Sequence, residues 1–177
     1  LKTAVANWLD RADLTDRVPE FIALAEARIA RRLRVRGLET RVTTPATAGQ
    51  AYYSLPSDFL EARNIQYNSS PARDLAYRSP QQLDNEVNST DTGDPKYYTI
   101  IGNELELRPV PTSSNDIEIA YFARLDPLSN ANSTNWLTTN APDLLMYGSL
   151  IEAEAYLVDD PRIAIWKGGF DESISEW

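Results

Sequence analysis

Carboxylates, arginines and tyrosines are the side chains of this sequence that could do chemistry. The 177 residues contain no Cys and no His. That excludes Cys or His metal sites, thiolate nucleophiles, Ser–His–Asp triads, imidazole acid–base chemistry and disulfide frameworks. Glu104, Glu106 and Glu118 could supply the carboxylate pair of a glycosidase. Glu104 and Glu106 stand two apart in a strand pattern, so they share one face, opposite Leu105 and Leu107. The plainer expectation for them is a solvated outer face. Tyr52, Tyr53, Tyr97, Tyr98, Tyr121 and Phe122 could line a sugar-binding surface, but neighbouring strand residues point to opposite faces, so half of them are expected to fill a core. A calcium loop anchored on Gly93 would put Asn88, Thr90 and Thr92 at ligand positions and Thr99 where a bidentate Glu is required, so it fails on charge. With seven Gly in all and no G-x-G or G-K-Ser/Thr, phosphate-loop and dinucleotide patterns are absent.

The sharpest cluster is cationic. Arg28, Arg31, Arg32, Arg34, Arg36 and Arg41 crowd one short stretch. Read as a helix, the first four fall at widely different azimuths, and none has Asp or Glu three or four residues away; only Arg36 does, in Glu39. Compensation must therefore come from outside the helix. Two readings stand: pairing with Glu152, Glu154, Asp159 or Asp160 near the C-terminus, or docking onto an acidic partner or a neighbouring subunit. Trp166, Phe170 and Trp177 of the last helical segment join Arg28, Arg31, Arg32, Arg34 and Arg36 as interface candidates. No catalytic, cofactor or metal-ligating residue is singled out.

Overall the chain is acidic, with 17 Lys+Arg against 26 Asp+Glu and a formal net charge of −9. Residues 1–41 carry nine basic and six acidic side chains, net +3, which leaves −12 for the remainder. Such acidity argues against general affinity for nucleic acid, which needs positive charge to displace counterions from phosphate. An acidic chain with one arginine-dense segment suggests docking on other proteins. Ile117–Phe122, interrupted by Glu118, is among the longest apolar runs and falls far short of the roughly 18 residues that span a bilayer. The start, from Leu1 to Trp8, lacks the apolar core of a signal peptide, and a trimmed start is the expectation.

These residues are positioned by helices at both ends and strands in the middle. Thr3–Asp10 is a short amphipathic segment. Thr15, Asp16 and Pro19 signal the start of a long helix to about Arg36, closed by Gly37, with Phe21, Ile22, Ala25, Ile29 and Leu33 as its stripe. Arg41–Thr44 and Ala51–Leu55 read as strands around a Pro45–Gln50 turn, and Asn64–Tyr67 and Asp74–Arg78 as a further pair. Ser79, Pro80 and Gln82 write a capping box for a brief helix. Lys96–Ile101, Glu104–Arg108 and Asp116–Leu125 alternate as an antiparallel meander. Helical period returns after the polar linker Asp126–Asn135. Asn140 is read as cap and Leu144, Tyr147, Gly148, Ile151, Ala155 and Val158 as one face, with Gly148 and Ala155 admitting a close neighbour. Asp160-Pro161 starts a last helix, expected to break at Gly168-Gly169. The expected fold is α+β: residues 1–38 plus 141–177 form a helical bundle, and 39–140 an inserted, mainly antiparallel β-sandwich or barrel-like domain.

Several segments together resemble a known family: Val18–Ile29, Tyr53-Ser54-Leu55-Pro56-Ser57-Asp58-Phe59-Leu60-Glu61, Gly93–Tyr98, Glu104–Pro109, Asn140-Ala141-Pro142-Asp143 and Gly148–Tyr156. In order and over nearly the whole chain, they are similar to the head-to-tail adaptors of tailed phages, also called gatekeeper or tail tubular protein A. The resemblance implies a virion protein at the head–tail junction, assembled in the host cytoplasm. It would be a homo-oligomeric ring, twelve-fold in that family, between the portal protein and a tail nozzle or tail tube protein. It implies no catalysis, cofactor or membrane. Twelve copies at −9 would carry about −108, and a lumen of that sign repels DNA phosphate and lets the genome pass without binding. The alternative reading is a carbohydrate- or receptor-binding β module on a helical stalk.

Overall fold

The computed structural model describes residues 1–129, 131–157 and 160–177. Among them are six α-helices and two four-stranded sheets, an α+β fold. In chain order these are α1 (Lys2–Leu9), α2 (Val18–Arg32), β1 (Glu39–Pro45), β2 (Tyr52–Ser54), β3 (Phe59–Tyr67), β4 (Arg73–Asp74), β5 (Ala76–Tyr77), α3 (Pro80–Glu86), β6 (Tyr97–Ile101), β7 (Glu104–Arg108), β8 (Asp116–Ala123), α4 (Trp136–Asn140), α5 (Pro142–Glu152) and α6 (Arg162–Ser175). The chain divides into two units, Leu1–Leu38 with Leu125–Trp177, and Glu39–Arg124. Residues 125–140, expected with the strands, group with the helices because Leu125, Leu128, Trp136 and Leu137 carry apolar side chains into the helical core.

In the helical unit, one hydrophobic cluster takes side chains from both ends of the chain, from Val5 and Leu9 of α1 to Trp166 and Phe170 of α6. The stripe Phe21, Ile22, Ala25, Ile29 and Leu33 is buried throughout, and it packs against α5. Gly148 lies where α2 and α6 both reach α5: a Cβ there would sit 3.1 Å from the Ala25 Cβ and 3.3 Å from the Phe170 ring. Several boundaries differ from expectation. α2 stops at Arg32, where Leu33 turns extended (φ −77°, ψ 122°). Gly37 therefore does not close that helix; it is small because a Cβ would overlap the Trp136 indole. α5 is preceded by Ala141, while Asn140 ends α4, whose cap is Asn135 in a box with Thr138. Ala155 falls in a 3₁₀ turn (Glu154–Tyr156) and is exposed, off the close-packed face; Val158 lies outside the described residues. α6 runs unbroken through Gly168-Gly169. Gly169 fits under the Tyr147 ring, 2.8 Å from a would-be Cβ, so close packing outweighs glycine's poor helix propensity there.

In the β unit, one sheet has the order β1-β8-β3-β4, antiparallel throughout; the other has β2-β7-β6-β5, with β5 and β6 parallel. Ile65, Tyr67, Ile117, Ile119 and Tyr121 of the first sheet share one apolar cluster with Tyr53, Leu105 and Leu107 of the second. Alternation along each strand identifies its core face but not its neighbour. So β1 and β2 do not form a hairpin across Pro45–Gln50; they belong to different sheets. That turn is tied instead to residues 111–115, with the Ala46 and Gly49 amides donating to the Asn115 and Pro111 carbonyls. The Tyr53 hydroxyl donates to the Gln50 carbonyl and accepts the Thr47 amide. Likewise β6 and β7 pair across Gly102-Asn103, where Gly102 needs φ +62°, but β8 leaves for the other sheet, so there is no three-strand meander. Of Asp74–Arg78, Asp74 pairs β3 together with the preceding Arg73, and the Leu75 amide donates to the Ile65 carbonyl, while Ala76–Tyr77 crosses to β6. The capping box at Ser79 is present in full.

Candidate docking surface

The arginine cluster divides by partner. Arg28 Nε meets Glu152 Oε1 at 2.7 Å and ties α2 to α5, both side chains partly buried. Arg32 stands 4.0 Å from Asp171 with both groups well exposed, a pair worth little. Arg34 lies beyond the helix end, and its guanidinium donates to the Ala30 and Leu33 carbonyls at 3.1 and 2.8 Å. It thereby caps carbonyls that helix termination leaves without an amide partner. Arg31 and Arg36 are exposed and make no hydrogen bond or ion pair among the described residues. Of the expected carboxylate partners, Glu152 takes Arg28, Glu154 takes Lys167 and Asp160 takes Arg162; Asp159 lies outside the described residues.

The aromatic candidates separate in the same way. Trp166 and Phe170 are each 2% exposed in the helical core, so neither offers surface. Their spacing on α6 puts them on its apolar face, a signal the sequence carried. Trp177 is half-exposed and packs edge-on against Trp136, ring centroids 5.0 Å apart. Two apolar side chains that sequence reasoning passed over stand out on the same unit: Leu24 of α2 and Ile165 of α6, 47% and 71% exposed. Beside Ile165, Gly168 faces open space. A glycine in an exposed helix interior costs about 1 kcal/mol against alanine, and nothing among the described residues requires it.

Two buried carboxylates were also missed as such. Glu26 of α2 accepts the Leu128 amide at 3.1 Å and the Asn135 side-chain amide at 2.6 Å, fixing the segment that enters α4. Burial pushes its pKa above the ordinary carboxylate value, against the opposing effect of those two donors. Glu106, expected on a solvated face, is buried against Arg108 at 2.6 Å. Arg108 in turn meets Asp84 of α3 at 2.9 Å and donates to the Val87 carbonyl. Burial opposes the Arg108 charge, but its bonds to Glu106 and Asp84 outweigh this and hold its pKa above the usual value. The missing signal is tertiary: strand alternation shows which residues share a face, not that α3 covers it. Glu118 belongs to the other sheet and faces Arg41 at 3.3 Å. The three candidate carboxylates are thus not brought together. Among the described residues no group of three or more Asp or Glu could hold a metal ion.

Of the tyrosine pairs, Tyr53 is in the core and Tyr52 exposed, as alternation requires, whereas Tyr121 and Phe122 are both buried. The Tyr121 hydroxyl donates to Asp58 at 2.9 Å; burial, and then that carboxylate, push its pKa up to about 12. No helix is long and apolar enough among the described residues to cross a membrane. Residues 1–176 match the family model described as SU10 adaptor protein. No curated protein matches the sequence.

Proposed function

Since the chain belongs to the SU10 adaptor protein family, a family of phage head-to-tail adaptors, we propose that it is the connector between portal protein and tail. In this reading it is a ring of twelve copies through which DNA passes without specific binding, of the gatekeeper or tail tubular protein A kind. The match over residues 1–176 carries this reading, because it takes in both units rather than one. The protein works as a structural part of the virion, assembled in the host cytoplasm, and catalyses no reaction. The helical unit acts as a bundle, the strands as a sandwich, and the two fold as separate domains. The net charge of −9 per copy supports the lumen role, since an acidic wall repels phosphate. Arg31 and Arg36, exposed and unpaired among the described residues, are the best intermolecular contacts of the arginine cluster.

The test is to mix the protein with the portal of its own phage and image the product. A closed ring seated on the portal is expected, weakening as salt rises from about 0.05 to 0.5 M and the Debye length shrinks to a few ångströms. A protein that neither binds portal nor associates with itself under any salt condition contradicts the reading. Half-exposed Tyr52 and Tyr77 favour the second reading, a glycan-binding β module; it requires a small solution mass and a shift of tyrosine signals on adding sugar.

A further inference from the structure

α2 and α6 both turn an apolar face to Gly148 of α5, through Ala25 and Phe170. Their outward faces carry matching sets of residues. On α2, Leu24, Ala27 and Arg31 stand at i, i+3 and i+7; on α6, Ile165, Gly168 and Glu172 stand at the same spacing. At about 100° per residue each set spans roughly 60° of its helix, and all six residues are exposed. The order in both is a branched apolar side chain, then a small residue, then a charge, and the two charges are opposite. Neither Arg31 nor Glu172 has an ion pair among the described residues. A Cβ on the glycine of the second set would meet no neighbour within 4 Å among the described residues.

We propose that these two faces are the two halves of a head-to-tail contact between copies of this chain, α2 of one copy lying along α6 of the next. Because both sets run in the same chain direction, a parallel alignment places Leu24 against Ile165, Ala27 against Gly168, and Arg31 against Glu172. The alignment removes two exposed apolar side chains from water. It gives the bare backbone at Gly168 a reason, the close approach of a neighbouring helix. It pairs the two charges at the edge of the apolar contact, where they set register and partner choice. Joining two different faces makes the contact heterologous, the kind that closes into rings. The inference rests on the ring reading above and deepens it by naming the surfaces that meet.

The absence of native Cys allows a clean test. Ala27→Cys and Gly168→Cys are made singly and together, assembled on the portal of the same phage, oxidised, and resolved on a non-reducing gel beside a mass measurement. Expected are dimers from the mixed single variants, none from either single variant alone, and a ladder up to the full ring from the double variant. Arg31→Glu and Glu172→Arg should each lower the assembled fraction at least tenfold, and their combination should restore it. An assembled ring without the Ala27–Gly168 cross-link overturns this interface and leaves the ring reading standing. Cross-linking by Ala27→Cys alone shows α2 facing itself and overturns it too, as does an Arg31→Glu ring that stays intact but no longer holds portal. A complex in which the protein binds portal as single copies overturns the ring reading and this inference together.

Discussion

The two units satisfy their charges by different means. In the β unit, side chains pair with side chains: Glu106 with Arg108, Arg108 with Asp84, Arg41 with Glu118, Arg63 with Glu39, Arg78 with Glu86. The helical unit has side-chain pairs too, such as Arg28 with Glu152 and Lys167 with Glu154, and adds charges that reach backbone. Arg34 bonds the Ala30 and Leu33 carbonyls, Arg162 the Trp8 and Leu9 carbonyls, and Glu26 the Leu128 amide. The cause is where free backbone groups occur. A strand inside a sheet spends its amides and carbonyls on the ladder, so a charge there needs an opposite charge. A helix ends with four carbonyls and begins with four amides that have no partner in the helix, and charged side chains fill that role. One consequence bears on assembly: a helical unit that meets its needs at helix ends leaves its outward faces, with Arg31 and Glu172, open for contacts between molecules.

Breaking a side-chain pair in the β unit should give the largest effect. Arg108→Ala leaves Glu106 buried without its cation, a loss of about 3–5 kcal/mol in denaturant unfolding. Replacing both Arg108 and Glu106 by Leu should recover most of it, since well-packed apolar residues often match a buried ion pair. If Arg108→Ala alone costs under about 1 kcal/mol, the pair is not the device that holds α3 on its sheet, and the contrast between the units weakens.

The helical unit should be more sensitive to shape than to charge. Gly148→Leu drives a side chain into Ala25 and Phe170, and overpacking should cost about 1–3 kcal/mol, offset slightly by better helix propensity. An unchanged melting temperature would mean that α2 and α6 do not close on α5 there.

What could be read from the sequence follows the same division. Period and local chemistry were legible: the stripe from Phe21 to Leu33, the Ser79 box, and the core side of Leu105 and Leu107. What was not legible depends on neighbours distant in sequence. β8 alternates well, and alternation cannot say that it joins β1 and β3 rather than β7. Glu106 has a solvated pattern, and only α3 above it makes it buried. Gly168-Gly169 reads as a helix break, until the Tyr147 ring supplies a reason for Gly169 within the helix. As for the docking surface, the lack of local carboxylates marked Arg31 and Arg34 alike, and only the structure shows Arg34 bonded to the Ala30 and Leu33 carbonyls; Leu24 and Ile165 pass as ordinary members of amphipathic helices until their exposure is known.

The smallest expected effect is the pH dependence contributed by Glu26. Glu26 has amide donors but no cation, and burial raises its pKa in the folded chain. The native state therefore holds a proton that the unfolded chain releases, in the window between the ordinary value near 4.5 and the raised one. Stability from this group is fully present below that window and is lost as pH rises through it. Gln at position 26 keeps one oxygen for the Leu128 amide and cannot ionise, so Glu26→Gln removes that dependence. The melting temperature of the variant, minus that of the wild type, should rise as pH passes through that window and level off above it, by a few degrees at most. Glu106→Gln instead breaks a buried ion pair, 2.6 Å from Arg108, and should lower the melting temperature. If the Glu26→Gln difference instead falls as pH rises, the Leu128 and Asn135 donors outweigh burial. The helical unit would then hold its buried Glu26 carboxylate charged through the Leu128 and Asn135 donors.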